Sequence, residues 1–119
     1  MRQPVEEWLG ATVVSSGDGE SVVQMTVTDQ HVNGAGILHG GALFALADAA
    51  LAHAAIIPDT GATTGAQIAF IAPCHPGDEL VATARTTARW GANALVDVTV
   101  RSERATVAEF RGQARCPLR

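Results

Sequence analysis

Hydrophobic and polar residues alternate from Glu20 to Thr28: Val23, Met25 and Val27 fall between Gln24, Thr26 and Thr28. A period of two predicts a strand with one buried face. Ala11 to Ser16 predicts a partner strand, joined to it through the turn Gly17-Asp18-Gly19. Ahead of both, Pro4 to Leu9 reads as a short helix, with Pro in its first turn, Glu6 and Glu7 at its positive end and Gly10 to stop it. The pattern changes after a Gly-rich loop from Asp29 to Gly41. From about Gly41 to Ile57 the chain has no Pro and is crowded with Ala and Leu, the strongest helix formers. This helix is apolar nearly all round, so it must be buried. Pro58-Asp59-Thr60-Gly61 is expected to end it. Strand patterns return at Thr63 to Ala72, Glu79 to Trp90, Asn93 to Arg101 and Thr106 to Cys116. The order helix, two strands, long helix, four strands predicts an α+β fold with an antiparallel sheet. A curved sheet wrapped about one central helix would bury that helix. No linker, repeat or low-complexity run interrupts the chain, so residues 1–119 are expected to form one domain.

Composition sharpens this picture. Hydrophobic residues make up 47% and charged residues 17%, which excludes disorder. Aromatics are only 4%, so the core must come from Ala, Val, Leu and Ile. Such cores are thin, and association with a second copy is a common remedy. The formal net charge is -4, with no basic stripe, which argues against nucleic acid as a partner. Arg85, Arg89, Arg101, Arg104 and Arg111 nevertheless crowd one region, leaving room for a local anion site. Cys74 and Cys116 form no C-x-x-C and read as reduced thiols. The first residues lack an apolar signal core, and Ala42 to Ile57 carries Asp48 and His53 and is too short to span a bilayer. The expected location is the cytoplasm, with no membrane partner.

Asp48 breaks the pattern of the long helix. Its neighbours three and four residues away, Phe44, Ala45, Leu51 and Ala52, are all apolar, and no Lys or Arg lies within one turn. An unpaired carboxylate on a buried helix costs several kcal/mol or shifts its titration upward. Either Asp48 reaches solvent or a distant Arg, or it carries chemistry. His53 lies about 140° further round and reads as a packing or surface histidine. The loop Asn33-Gly34-Ala35-Gly36-Ile37-Leu38-His39-Gly40-Gly41 leads into the helix N-terminus, where free N–H groups can hold a developing oxyanion. Asp48 lies about 10 Å further along the axis than Gly41, too far for one helix to bring both to one carbonyl. A site shared between two subunits resolves that distance. No metal-ligand spacing, P-loop, dinucleotide fingerprint or serine elbow occurs, so no metal or cofactor is expected.

The combination Asn33-x5-His39-Gly40-Gly41-x6-Asp48, followed by the strand Ala66 to Pro73 and the turn Pro76-Gly77-Asp78, resembles the PaaI-like branch of the hotdog-fold acyl-CoA thioesterases. The resemblance runs from roughly Leu9 to Cys116. It implies a hotdog fold and hydrolysis of an acyl-CoA thioester. Asp48 matches the family's catalytic carboxylate, a general base or a nucleophile. Gly40 matches the residue whose N–H polarises the thioester carbonyl, with Gly41 beside it in the substrate-binding turn. His39 and Asn33 match residues that position carbonyl and water. Thr63 matches a hydroxyl position beside the carboxylate, and Thr64 is a possible substitute. The resemblance also implies a homodimer or a homotetramer built as a dimer of dimers. In it, Asn33, His39 and Gly40 of one subunit meet Asp48 and Thr63 of the other. Relatives often carry a basic residue just after the Gly of the hairpin Trp90-Gly91-Ala92-Asn93, and Ala92 and Asn93 cannot supply that charge to CoA phosphates. Arg89 or Arg85 is the candidate instead. A non-catalytic acyl-CoA-binding protein of the same fold is the alternative; Asp48, Asn33 and His39 together favour the enzyme.

Overall fold

A computed structural model describes residues 4–55 and 61–116. Helix α1 (Pro4–Leu9) precedes strands β1 (Thr12–Gly17) and β2 (Glu20–Thr26). A single 3-10 turn (Asp29–His31) follows, then helix α2 (Gly40–Ala55) and strands β3 (Ala62–Phe70), β4 (Glu79–Trp90), β5 (Asn93–Arg101) and β6 (Thr106–Arg115). The six strands make one sheet in the order β1-β2-β4-β5-β6-β3, antiparallel throughout. The expected helix end at Ile57 and most of its stop signal, Pro58 to Thr60, lie outside the described residues. The loop reading of Asp29 to His31 gives way to the 3-10 turn. Thr28 caps it, accepting from the Gln30 N–H at 3.3 Å while His31 Nδ1 accepts from the Thr28 N–H at 3.1 Å. That cap also ends β2 two residues earlier than its alternation suggests.

Two tight hairpins follow from local chemistry. Asp18 and Gly19 both have positive φ, 56° and 77°, as a type I′ turn requires. Gly91, at φ 55°, opens the two-residue turn between β4 and β5, where a side chain would be strained.

The sheet's inner face carries Val23 and Met25 from β2, Leu80, Ala82 and Ala84 from β4, Ala94, Val96, Val98 and Val100 from β5, and Ala108, Phe110 and Ala114 from β6, all buried. Helix α2 lies against them with Leu43, Leu46, Ala47, Ala50, Leu51 and Ala54 buried in turn. Small residues let helix and sheet approach closely. At Gly112 a methyl group would overlap Leu51 and the ring of Phe110, so the missing side chain is the seat of the helix on β6. The C-terminal half of α2 is stitched to the sheet through its carbonyls. Ser21 Oγ donates to Ala50 O at 2.7 Å, Ser16 Oγ to His53 O at 2.9 Å, and Arg89 Nη2 to Ala55 O at 3.1 Å. The last carbonyls of a helix have no partner within it, and the sheet supplies two of them. His53 itself meets Glu6 of α1 at 3.1 Å, the packing role its position suggests.

The outer face shows a row of side chains crossing five strands in register: Glu20, Arg85, Asp97, Arg111 and Gln67. Arg111 grips Asp97 through two hydrogen bonds of 2.6 and 2.9 Å. That hydrogen bonding, opposed by desolvation and helped by the charges of Arg111 and Arg85, holds the Asp97 carboxyl below its usual range.

Candidate active site

The carboxylate that breaks the apolar pattern has a partner. Asp48 is partly buried near the middle of α2, and Thr63 Oγ1 donates to its Oδ1 at 2.6 Å. The hydroxyl that the family resemblance sets beside the carboxylate is there; it comes from β3, which no reading of neighbours along the helix could supply. A register shift in the β3–β6 pairing leaves Thr64 without a cross-strand partner, between Thr63 opposite Ala114 and Gly65 opposite Gln113. Ala114 is fully buried, so Thr63 shares the helix side of the sheet. A bulge of this kind commonly re-aims a side chain beside a reactive group. The Thr64 hydroxyl points elsewhere, donating to Gln113 O at 3.2 Å.

The second part of the site lies at the N-terminus of α2. His39 closes this end: its Nδ1 accepts from the Gly41 N–H at 2.8 Å, and its carbonyl accepts from Ala42 and Leu43 at 3.0 and 3.1 Å. Nδ1 therefore acts as acceptor, and the neutral ring carries its hydrogen on Nε2 as an outward donor. The Gly40 N–H finds no acceptor among the described residues. It is a free donor at the positive end of a four-turn helix. Asn33 Oδ1 accepts from the Ala35 and Ile37 N–H groups at 2.9 and 3.4 Å, which orders the loop and leaves the Asn33 amide NH2 as a donor. Leu38 anchors the same loop through its N–H to Cys74 O at 2.8 Å, and His39 through its N–H to His31 O at 2.8 Å. His31 is buried and in turn bonds Trp8 O at 2.8 Å, so α1 helps hold the loop in place.

Asn33 and Gly40 line one groove of about 410 Å³ together with Ile37, Leu43, Phe70 and Cys74. The groove is apolar except for its donors. Burial, and secondarily the charge of Asp78, push the Cys74 thiol above its ordinary range, so it lines the groove as an inert apolar surface. Asp48 and Thr63 are not part of this groove. Asp48 lies eight residues beyond Gly40, about 12 Å down the axis of α2. One chain thus holds two separate candidate half-sites, a free N–H donor beside an apolar groove and a carboxylate held by a hydroxyl. Arg89 is placed at the C-terminal end of α2, away from Gly40, with its guanidinium on Ala55 O. Arg85 sits in the outer-face charge row. No group of acidic, His or Cys side chains among the described residues is arranged to hold a metal ion.

Sequence reading missed the apolar wall of the groove. Phe70 and Ile71, at the end of β3, are 56% and 55% exposed in the single chain. A signal existed: with three Phe, two Trp and no Tyr, each aromatic of this chain is a rare choice.

A family model described as Thioesterase superfamily matches residues 35–109. The chain belongs to this family, and its fold of one sheet around one helix is the hotdog fold of thioester hydrolases. Within the family it is of the PaaI-like branch. The acyl-coenzyme A thioesterase PaaI of Escherichia coli K12 is 40% identical over 108 residues, 89% of this chain and 77% of that protein. A solved structure of the E. coli PaaI protein, from the phenylacetic acid degradation operon, matches with a TM-score of 0.90 at 34% identity, over 97% of this chain and 85% of that one. The TT0310 protein of Thermus thermophilus matches with a TM-score of 0.92 at 34% identity, over 99% and 100%.

Proposed function

We propose that the protein hydrolyses acyl-CoA thioesters at a site made by two copies of the chain. The observation that carries this reading is the placement of both half-sites along β3. At one end of the strand Thr63 holds Asp48; at the other Phe70 lies against Gly40. β3 is an edge strand with its outer side unpaired and its residues largely exposed. A long exposed edge of this kind invites a second strand. If two copies pair β3 to β3 in antiparallel fashion, the Thr63 end of one meets the Phe70 end of the other. Asp48 of one chain then faces Gly40 and Asn33 of its partner, which removes the gap of about 12 Å along the helix. The same pairing covers Phe70 and Ile71. Two such dimers associating give the tetramer.

In this site the thioester oxygen takes the free Gly40 N–H and the Asn33 amide. Both donors are preorganised, and both gain strength as the oxygen becomes an oxyanion. Asp48, with Oδ1 held by Thr63, offers Oδ2 to a water. It takes the water proton as the hydroxide adds to the acyl carbon. Collapse of the adduct breaks the C–S bond, and the CoA thiolate leaves and is protonated. In a variant of the same scheme Asp48 attacks directly and water then cleaves the acyl-enzyme anhydride. Rapid-quench single turnover with a radiolabelled acyl group separates the two, since only direct attack leaves the acyl group covalently on Asp48 before water releases it.

The test of function is thiol release from short, medium, long and aryl acyl-CoAs. Wild type should hydrolyse at least part of the panel, and Asp48→Asn should lower kcat by at least about 100-fold with the fold intact. Binding of acyl-CoA without turnover would identify a non-catalytic binding protein. An Asp48→Asn enzyme above half the wild-type rate would remove Asp48 from the mechanism. A 12.3 kDa mass for active protein in light scattering would refute the shared site.

A further inference from the structure

We infer that Phe70 determines which acyl groups the enzyme accepts, by walling the carbonyl-binding pole against branching next to the thioester carbonyl. The inference rests on the acyl-CoA reading above. A Cβ placed at Gly40 would lie 3.2 Å from Cζ of Phe70 and 3.4 Å from Cε1. The ring therefore packs on the bare Cα of Gly40, immediately beside the free N–H. An acyl oxygen bonded to that N–H, at roughly 3 Å as such donors require, puts its carbonyl carbon and the next carbon alongside the ring.

Within one chain the ring has no comparable task in the core. It is 56% exposed and lies outside the buried core cluster. The aromatic pair that packs on α2 is Phe44 with Phe110, centroids 5.3 Å apart. Around the pole the other walls are Leu43, Ile37 and Ile71. The three heavy atoms nearest to a Cβ at Gly40 all belong to the Phe70 ring, so the ring is the surface an α-substituent meets first. A straight chain has only hydrogens at that carbon. A methyl branch presses on the ring, and Gly40 cannot retreat because it begins a helix seated along its length on the sheet.

The experiment compares kcat/KM for butyryl-, isobutyryl- and pivaloyl-CoA in wild type, Phe70→Leu and Phe70→Ala. A single methylene in an apolar pocket is worth about 10- to 200-fold in discrimination. The isobutyryl-to-butyryl ratio should therefore rise at least about 10-fold in Phe70→Ala, with a smaller rise in Phe70→Leu. Light scattering and circular dichroism accompany each variant. Loss of dimer would lower all three substrates together and leave the ratio unmoved, which counts against the inference. Should Phe70→Ala fail to fold, Phe70→Leu decides by the same ratio. An unchanged ratio in an active enzyme overturns the role of Phe70 alone. A wild type inactive on every acyl-CoA of the wider panel overturns the acyl-CoA reading, and this inference with it.

Discussion

Replacing Thr63 with valine removes one hydroxyl and almost no volume. Valine suits a strand at least as well as threonine, so β3 should persist. What disappears is the 2.6 Å hydrogen bond to Asp48 Oδ1, the one hydrogen bond that the Asp48 side chain makes among the described residues. A hydrogen bond to a charged group is worth about 1.5–3 kcal/mol. At about 1.4 kcal/mol per tenfold, losing it where the carboxylate must be aimed lowers kcat by about 10- to 150-fold. KM should change little, because Thr63 does not line the groove. Thr63→Ser restores the hydroxyl and should recover most of the rate. Thr64→Val is the control: its hydroxyl serves Gln113 O, on the far side of the bulge, and its loss should leave turnover within about twofold. Thiol release under saturating and limiting substrate gives both constants. A Thr63→Val enzyme above half the wild-type kcat, or equal losses at Thr63 and Thr64, would refute the assignment.

Other outcomes follow from the same geometry. Heterodimers isolated with two tags, one chain Asp48→Asn and the other Asn33→Asp, should have about half the wild-type activity although each parent is inactive, because one of two sites is whole. Asn33→Asp keeps the acceptor for the Ala35 and Ile37 N–H groups while removing the donor, and inactive heterodimers would confine the site to one chain. Gly112→Ala should destabilise the fold by about 1–3 kcal/mol through overpacking against Leu51 and Phe110, seen as a lower urea midpoint; an unchanged midpoint would mean that the helix is free to shift. With its thiol pushed up by burial, Cys74 should resist a thiol reagent at about pH 8 until the protein is unfolded, while partly exposed Cys116 reacts early; rapid labelling of two thiols in the native state would contradict the burial of Cys74.

The fold was legible because its two periods are clean. Alternation in β2 and the Ala- and Leu-rich run of α2 leave little else for those segments to be, and Asp18-Gly19 fixes the first hairpin. What escaped was non-local. The 3-10 turn at Asp29–His31 depends on Thr28 and His31 capping each other, and one of the two is an imidazole that few would read as a cap. The partner of Asp48 was invisible along the helix because it arrives from a strand fifteen residues later, through a bulge, and only the family resemblance set the Thr63 hydroxyl beside it. Asn33, His39, Gly40 and Gly41 were found as a motif, and the structure gives them distinct tasks: loop ordering, helix closure and a free donor. Phe70 was overlooked because an aromatic at a strand end looks like any core residue until its exposure and its contact with Gly40 are known. Arg89, the candidate for CoA phosphates, uses one guanidinium hydrogen bond on the carbonyl of Ala55, a contact its sequence neighbours could not announce.

The groove has two kinds of wall: Leu38, Leu43 and Cys74 belong to the core, whereas Phe70 and Ile71 do not. Phe70 and Ile71 lie outside the core cluster, while the helix seat, the inner sheet and the stitched carbonyls lie within or against it. Substitutions at Phe70 or Ile71 therefore remove little core contact within one chain, whereas equivalent changes at the seat remove much more. For a lineage this separation matters. New acyl groups become reachable by single steps at Phe70 or Ile71, with Asp48, Thr63 and the Gly40 donor left in place. Paralogues that diverge in substrate before they diverge in scaffold are the expected signature of such an architecture.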